Sequence, residues 1–151
     1  IHMTRSKVGV EKTFGEVYRV LKPGGYFCFV VMPPEEMETE AQKIEVRLFS
    51  FVCGATWLNA NEYERILQEC GFETIKKESY RTGKKLTADQ AKEEIMFSCT
   101  YAARIYGVET PSFGEVWKKF GGEINQHGMG HYSKVVLFIA RKVGGGESGL
   151  G

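Results

Sequence analysis

Val17-Tyr18-Arg19-Val20-Leu21-Lys22-Pro23-Gly24-Gly25-Tyr26-Phe27-Cys28-Phe29-Val30-Val31-Met32 is the stretch whose reading decides the fold. Its first residues place Val17, Val20 and Leu21 at the spacing of one helix face. Pro23 cannot continue a helix, and it biases Lys22 away from the α region, so the helix is expected to end there. Gly24 and Gly25 supply the positive φ of a sharp reversal. Tyr26 to Met32 is then an unbroken apolar run, the pattern of a strand buried on both faces in a sheet that helices cover on either side. Pro33-Pro34 stops it. The C-terminal end of this strand is expected to face a ligand, because ligands of open α/β sheets sit beyond the strand C-termini.

Working outward, Ser6 to Leu21 reads as a helix with Ser6 as a candidate N-cap, weakened by Gly9 and Gly15. From Glu35 to Phe51, Met37, Ala41, Ile44, Leu48 and Phe51 fall at helical spacing, an amphipathic helix or lid whose aromatic content suits a pocket wall. Asn59 is a good N-cap for a helix over Ala60 to Cys70, with Glu62 completing a capping-box-like pair and Gly71 in the terminating role. Phe72 to Tyr80 reads as a short, partly exposed strand, and the basic turn Arg81 to Lys85 as a solvated loop or an anion contact. Thr87 caps a helix over Ala88 to Tyr106, with Ala91, Ile95, Cys99, Ala102 and Tyr106 on one face and Glu94 and Ser98 between them. Ser112 caps another through about Phe120, Gly121 to Gly130 reads as a loop, and Tyr132 to Arg141 as a last strand, apolar on both faces.

The segment Glu16-Val17-Tyr18-Arg19-Val20-Leu21-Lys22-Pro23-Gly24-Gly25, followed by its apolar strand, resembles the class I S-adenosylmethionine (SAM)-dependent methyltransferases, in the small-molecule branch that includes quinone-biosynthesis enzymes. Asn61 to Phe72, a helix ending in Cys70-Gly71-Phe72, resembles the helix that leads into the sixth strand of that family. The resemblance implies an α/β fold: a partial Rossmann-like sheet of the family's strands five, seven and six, with covering helices and a helical insertion at about 86–126. It also implies that residues 4–143 form the C-terminal half of the domain. The half that carries the Gly-rich SAM loop and the ribose-binding acid would precede it, so this chain is expected to encode no cofactor site of its own. In that order Tyr26 to Met32 would lie on an open edge, which implies a homodimer or a partner chain.

Composition bounds the function. The chain has 151 residues, a single domain's worth, with 42% apolar and 13% aromatic residues, enough to bury a core. A formal net charge of +1, with Lys and Arg scattered among acids, argues against nucleic-acid binding. No run is long and apolar enough to span a membrane. Cys28, Cys53, Cys70 and Cys99 lack Cys-x-x-Cys spacing and read as free, buried thiols in a reducing, cytoplasmic setting rather than metal ligands. Ile1-His2-Met3 reads as a cloning remnant and 144–151 as a flexible Gly-rich tail.

Chemistry-bearing residues are few. His127, in the expected loop, is the candidate general base toward a methyl acceptor. His131, Tyr132 and Trp57 are the candidates for orienting the acceptor, although an antiparallel last strand could begin on the side of the sheet away from the chemistry. The function expected is methyl transfer to a small molecule, inactive without the SAM-binding half. The alternative is a non-catalytic binding or regulatory module on the same half-fold.

Overall fold

A computed structural model of the chain describes residues 6–107 and 109–144. The remnant at 1–3 and the tail from 145 onward lie outside the described residues. The first helix, α1 (Lys7–Val20), starts where Ser6 Oγ accepts the Gly9 N–H at 3.0 Å, and it buries Val10 and Phe14. Its end is tied twice. Gly24, at φ 81°, turns the chain, and Gly24 and Gly25 exchange backbone hydrogen bonds with Lys142. The Lys142 ammonium donates to the Tyr18 and Leu21 carbonyls at 2.6 and 2.9 Å, placing a cation at the negative end of the helix dipole.

The turn delivers β1 (Tyr26–Val31), which pairs antiparallel with β5 (Lys134–Lys142), and β5 pairs antiparallel with β2 (Phe72–Arg81) on its other side. The order is β1-β5-β2, with β1 and β2 parallel and the late strand inserted between them, as strands five, seven and six are expected to lie. This is an α/β fold with a partial sheet flanked by helices, consistent with the partial Rossmann-like sheet expected from the sequence.

One face of the sheet is a core. α1 and α3 (Ala60–Cys70) pack on it, and Phe14 sits 5.2 Å from the Phe27 ring and 4.9 Å from Phe29, which stacks on Phe138. α3 begins at Asn59, whose Oδ1 accepts the Glu62 N–H at 2.9 Å, and closes at Gly71 with φ 102°. Tyr63 is fully buried beneath it and accepts the Leu58 N–H on its hydroxyl.

The other face corrects the sequence reading. β1 is not buried on both sides: Tyr26, Cys28 and Val30 are exposed, and Val135, Leu137 and Ile139 of β5 are only half-buried beside them. Among the described residues helices meet this face only at its Val30–Val135 end, where Val46 packs near Val135 and Phe97 and Tyr101 border a shared cleft, so the run that pattern alone assigns to a doubly covered strand is bare along most of one side. Cys28 is therefore an exposed free thiol, not a buried one.

A second core lies beside the sheet. α2 (Glu40–Cys53), α4 (Ala88–Tyr106) and α5 (Phe113–His127) bury Ile44, Leu48, Ile95, Val116, Phe120 and Ile124 against one another. The expected helix from Glu35 starts later: Pro34–Glu36 is a single 3-10 turn, and Thr39 and Gln42 form the capping box that opens α2. The expected loop at 121–130 is mostly helix, since α5 continues to His127. Gly121 stands inside α5, where the Trp117 ring one turn earlier fills the space a side chain would take: a Cβ there would stand 2.7 Å from the indole. After Gly128, β4 (Met129–Gly130) pairs with β3 (Lys85–Leu86) in a small second sheet that sequence patterning did not indicate.

Candidate functional site

The register fixes where β5 begins. Val136 faces Val31, so the turn at 131–133 arrives at the C-terminal end of β1, the side where a ligand is expected, and not at the opposite side. A cleft of about 200 Å³ opens there. Its floor is the end of β1 with Val135 of β5. Trp57, between α2 and α3, and Tyr132 supply further walls, Phe49 and Cys53 come from α2, and Glu94, Phe97, Ser98 and Tyr101 from α4.

Of the four residues singled out in the sequence, Trp57 and Tyr132 meet in this cleft. His131 is not among the walls. It stands edge-on to Tyr132 at 5.2 Å between ring centres, with its Nδ1 buried. His127 lies elsewhere, at the end of α5, in an open recess shared with Lys84, Lys85, Thr39 and Ser133. The structure therefore does not bring the two histidines together on the cleft.

The turn carrying Tyr132 is held from both sides. Tyr132 has φ 50°, a left-handed conformation uncommon for a residue with a Cβ. Its N–H donates to Glu45 Oε1 at 2.6 Å, and its carbonyl accepts the Thr82 hydroxyl at 3.0 Å. The Thr82 N–H donates to the Ser133 carbonyl, and the His131 N–H to that of Lys84. Lys134, almost fully buried, is neutralised by Glu38 at 2.7 Å and Glu36 at 3.5 Å. Arg81 first and Lys134 second hold the Glu38 carboxyl down at about 2.

Glu45 was missed in the sequence. It is 1% exposed, and burial pushes its carboxyl up to about 7 against the pull of the Tyr132 and Ser133 backbone N–H groups. Its position carried a signal: Ala41, Glu45 and Leu48 share the buried stripe of α2, so an acid stands where an apolar side chain is expected.

The Pro-Gly-Gly turn does not fit SAM. It sits at the N-terminal end of β1, away from the cleft, and leads into a strand rather than a helix. A Cβ on Gly25 would meet the Lys22 carbonyl at 2.9 Å, so its lack of a side chain serves the turn and leaves no cradle for a ligand. Among the described residues no cluster of His, Cys, Asp or Glu could hold a metal ion, and no helix is long and apolar enough to cross a membrane.

No family model and no curated protein matches the chain. Solved structures similar to it include the (4+2)-cyclase SpnF, at 19% identity and a TM-score of 0.48 over 89% of this chain and 44% of that one. The cyclopropane synthase MmaA2 from Mycobacterium tuberculosis overlaps at 14% identity and a TM-score of 0.49, over 91% of this chain and 51% of its own. The mycolic acid cyclopropane synthase CmaA1 overlaps at 12% identity and a TM-score of 0.44, over 93% and 55%. The chain thus spans about half the length of the solved structures it matches.

Proposed function

We propose that this chain is the acceptor-side half of a SAM-dependent methyltransferase fold acting on a small molecule, silent until a complementary segment supplies the SAM-binding strands and helices. The observation that carries the reading is the sheet's bare side. β1 ends the sheet with one edge unpaired, and its exposed Tyr26, Cys28 and Val30 continue into the half-buried Val135, Leu137 and Ile139. A Rossmann-like sheet buries both faces under helices, and this arrangement is one layer short. The covering layer, on the same polypeptide or another, would add strands at β1 and helices over the bare face.

The chain's own part in the reaction is positioning. Methyl transfer from a sulfonium needs little from side chains beyond an acceptor held in line, and holding it supplies much of the rate. Trp57 and Tyr132 would orient the acceptor, and the apolar walls would exclude water from it. His127, outside the cleft walls, has no part in this reading. A second reading is a binding module without catalysis, favoured by a Pro-Gly-Gly turn that leads into a strand and leaves no cradle for a ligand.

Calorimetric titration with SAM, combined with light scattering, tests both. The half-fold reading expects no SAM binding and a mass of at least twice the chain, returning to one chain in Val30→Lys, which puts a charge on the bare face. Micromolar SAM binding by a monomer would overturn it. Methyl transfer appearing when a segment with the missing strands is added separates the enzyme from the binding module.

A further inference from the structure

The cleft carries one charge. Among the residues that line it, Glu94 is the one acidic side chain and no basic one is present, and every other wall is apolar, aromatic or a neutral polar group. Glu94 is half-buried on the inner side of α4, and among the described residues it makes neither an ion pair nor a hydrogen bond. The nearest cation in the chain, Lys92, is spent on Asp89 at 4.0 Å and on the Trp117 ring at 4.9 Å. Glu94, Phe97, Ser98 and Tyr101 follow at the i, i+3, i+4 and i+7 spacing of one helix face. The Phe97 and Tyr101 rings lie 4.6 Å apart and are 56% and 40% exposed, two aromatic surfaces beside an unpaired carboxylate.

This combination selects by charge. A neutral apolar ligand would strip water from the carboxylate and return nothing. An anionic ligand would meet like charge at short range. A ligand with an ammonium group forms a charge-assisted hydrogen bond to the carboxylate and lays its cation against aromatic faces. At about 200 Å³ the cleft is smaller than the pockets that enclose drug-sized molecules. We infer that the cleft takes a small, largely apolar molecule bearing a protonated amine, anchored on the Glu94 carboxylate beside Phe97 and Tyr101. The amine is an anchor and need not be the atom that is methylated. The inference rests on reading the cleft as the acceptor site, and it narrows that acceptor to amines.

Three probes of equal shape test it on the chain alone, without SAM: phenethylamine, phenethyl alcohol and phenylacetate, each titrated at neutral pH with chemical shifts recorded along α4. Phenethylamine is expected to bind about tenfold more tightly than the alcohol, with phenylacetate weakest, and its advantage to shrink with salt. Glu94→Gln, on a half-exposed helix position, is expected to bring the amine to within about twofold of the alcohol and leave the alcohol unchanged. Tyr101→Leu is expected to weaken the amine more than the alcohol, and circular dichroism confirms that both variants remain folded. Equal affinities, a preference that survives Glu94→Gln, shifts confined to residues outside the cleft, or no binding of any probe would each overturn the inference. The amine preference is read without SAM, so its failure sinks this inference alone, whereas an amine preference with no methyl transfer once SAM and a segment with the missing strands are added sinks the transferase reading alone.

Discussion

Replacing Glu45 with Gln should change how the stability of this chain depends on pH. The side chain is buried among groups that offer it little: the Tyr132 N–H at 2.6 Å on one oxygen, and Ser133 beside it, whose own hydroxyl is buried without a partner. No cation counters its burial, and Lys134, next to Ser133, is already neutralised by Glu36 and Glu38. Burial therefore dominates and raises the carboxyl from 4.5 to about 7. Below the unfolded value both states are protonated. Between 4.5 and about 7 the folded chain keeps a proton that the unfolded chain releases, so stability falls as pH rises through this window. Above about 7 both forms are ionised and the loss is complete. Each tenfold in proton affinity is about 1.4 kcal/mol, so the full loss is about 3 kcal/mol, a large part of a small domain's stability.

Gln keeps the oxygen that accepts from Tyr132 and removes the charge. Urea denaturation of both proteins from about pH 5 to about pH 8 is the assay. The native chain should lose about 2–3 kcal/mol across that range relative to Glu45→Gln, a midpoint difference that grows by about 1–2 M. Every other ionisable group is common to both proteins and cancels in the comparison. A difference between the two that stays constant with pH would refute the reasoning, because it would mean that Glu45 ionises as an exposed acid does.

Gly130→Ala should destabilise by about 1–3 kcal/mol in thermal or urea melts, because a Cβ there stands 2.6 Å from Glu45 Oε2 and 2.8 Å from Ser133 Oγ, both buried. Phe14→Ala, at the centre of the aromatic core under the sheet, should cost about 3–5 kcal/mol by the same measurement. Glu38, held down at about 2, contributes stability above the ordinary carboxylate range that is lost as pH falls toward its folded value. Glu38→Gln should therefore flatten the acid limb of the stability profile. The double variant Glu36→Gln/Glu38→Gln should destabilise more than Lys134→Met, since it strands a buried ammonium where Met removes the charge.

The helix–turn–strand unit around Pro23-Gly24-Gly25 was legible because its signals are local: a proline, two glycines and two periodicities. The strand order followed from the resemblance and not from the pattern. Burial of β1 was misread because an apolar run reports what a strand could bury, and only the surrounding layers decide what it does bury. The helix through Gly121 and Gly122 was misread for a similar reason. Glycine propensity opposes a helix by about 1 kcal/mol per residue, and burial of Phe120 and Ile124 on either side of the pair, a tertiary contribution, outweighs it. Trp57 and Tyr132 were singled out in the sequence and line the cleft. Glu45 was overlooked because its neighbours in sequence are apolar, and Glu94 was noted only as lying between core positions.

Val30 connects the two proposals. It belongs to the bare face of the sheet and also to the wall of the cleft, where it is 47% exposed. A layer that packs on that face therefore closes the cleft in the same movement. Closing strips water from Glu94 and strengthens its attraction for a cation, because the interaction grows as the local dielectric falls. Association and amine binding must then favour each other by one factor, whichever comes first. Phenethylamine should bind more tightly as the concentration of the chain rises through its self-association, and saturating phenethylamine should tighten that self-association equally. Val30→Lys should remove the concentration dependence. An affinity that ignores protein concentration while light scattering shows assembly would mean that the assembled form covers some other surface and leaves the cleft open.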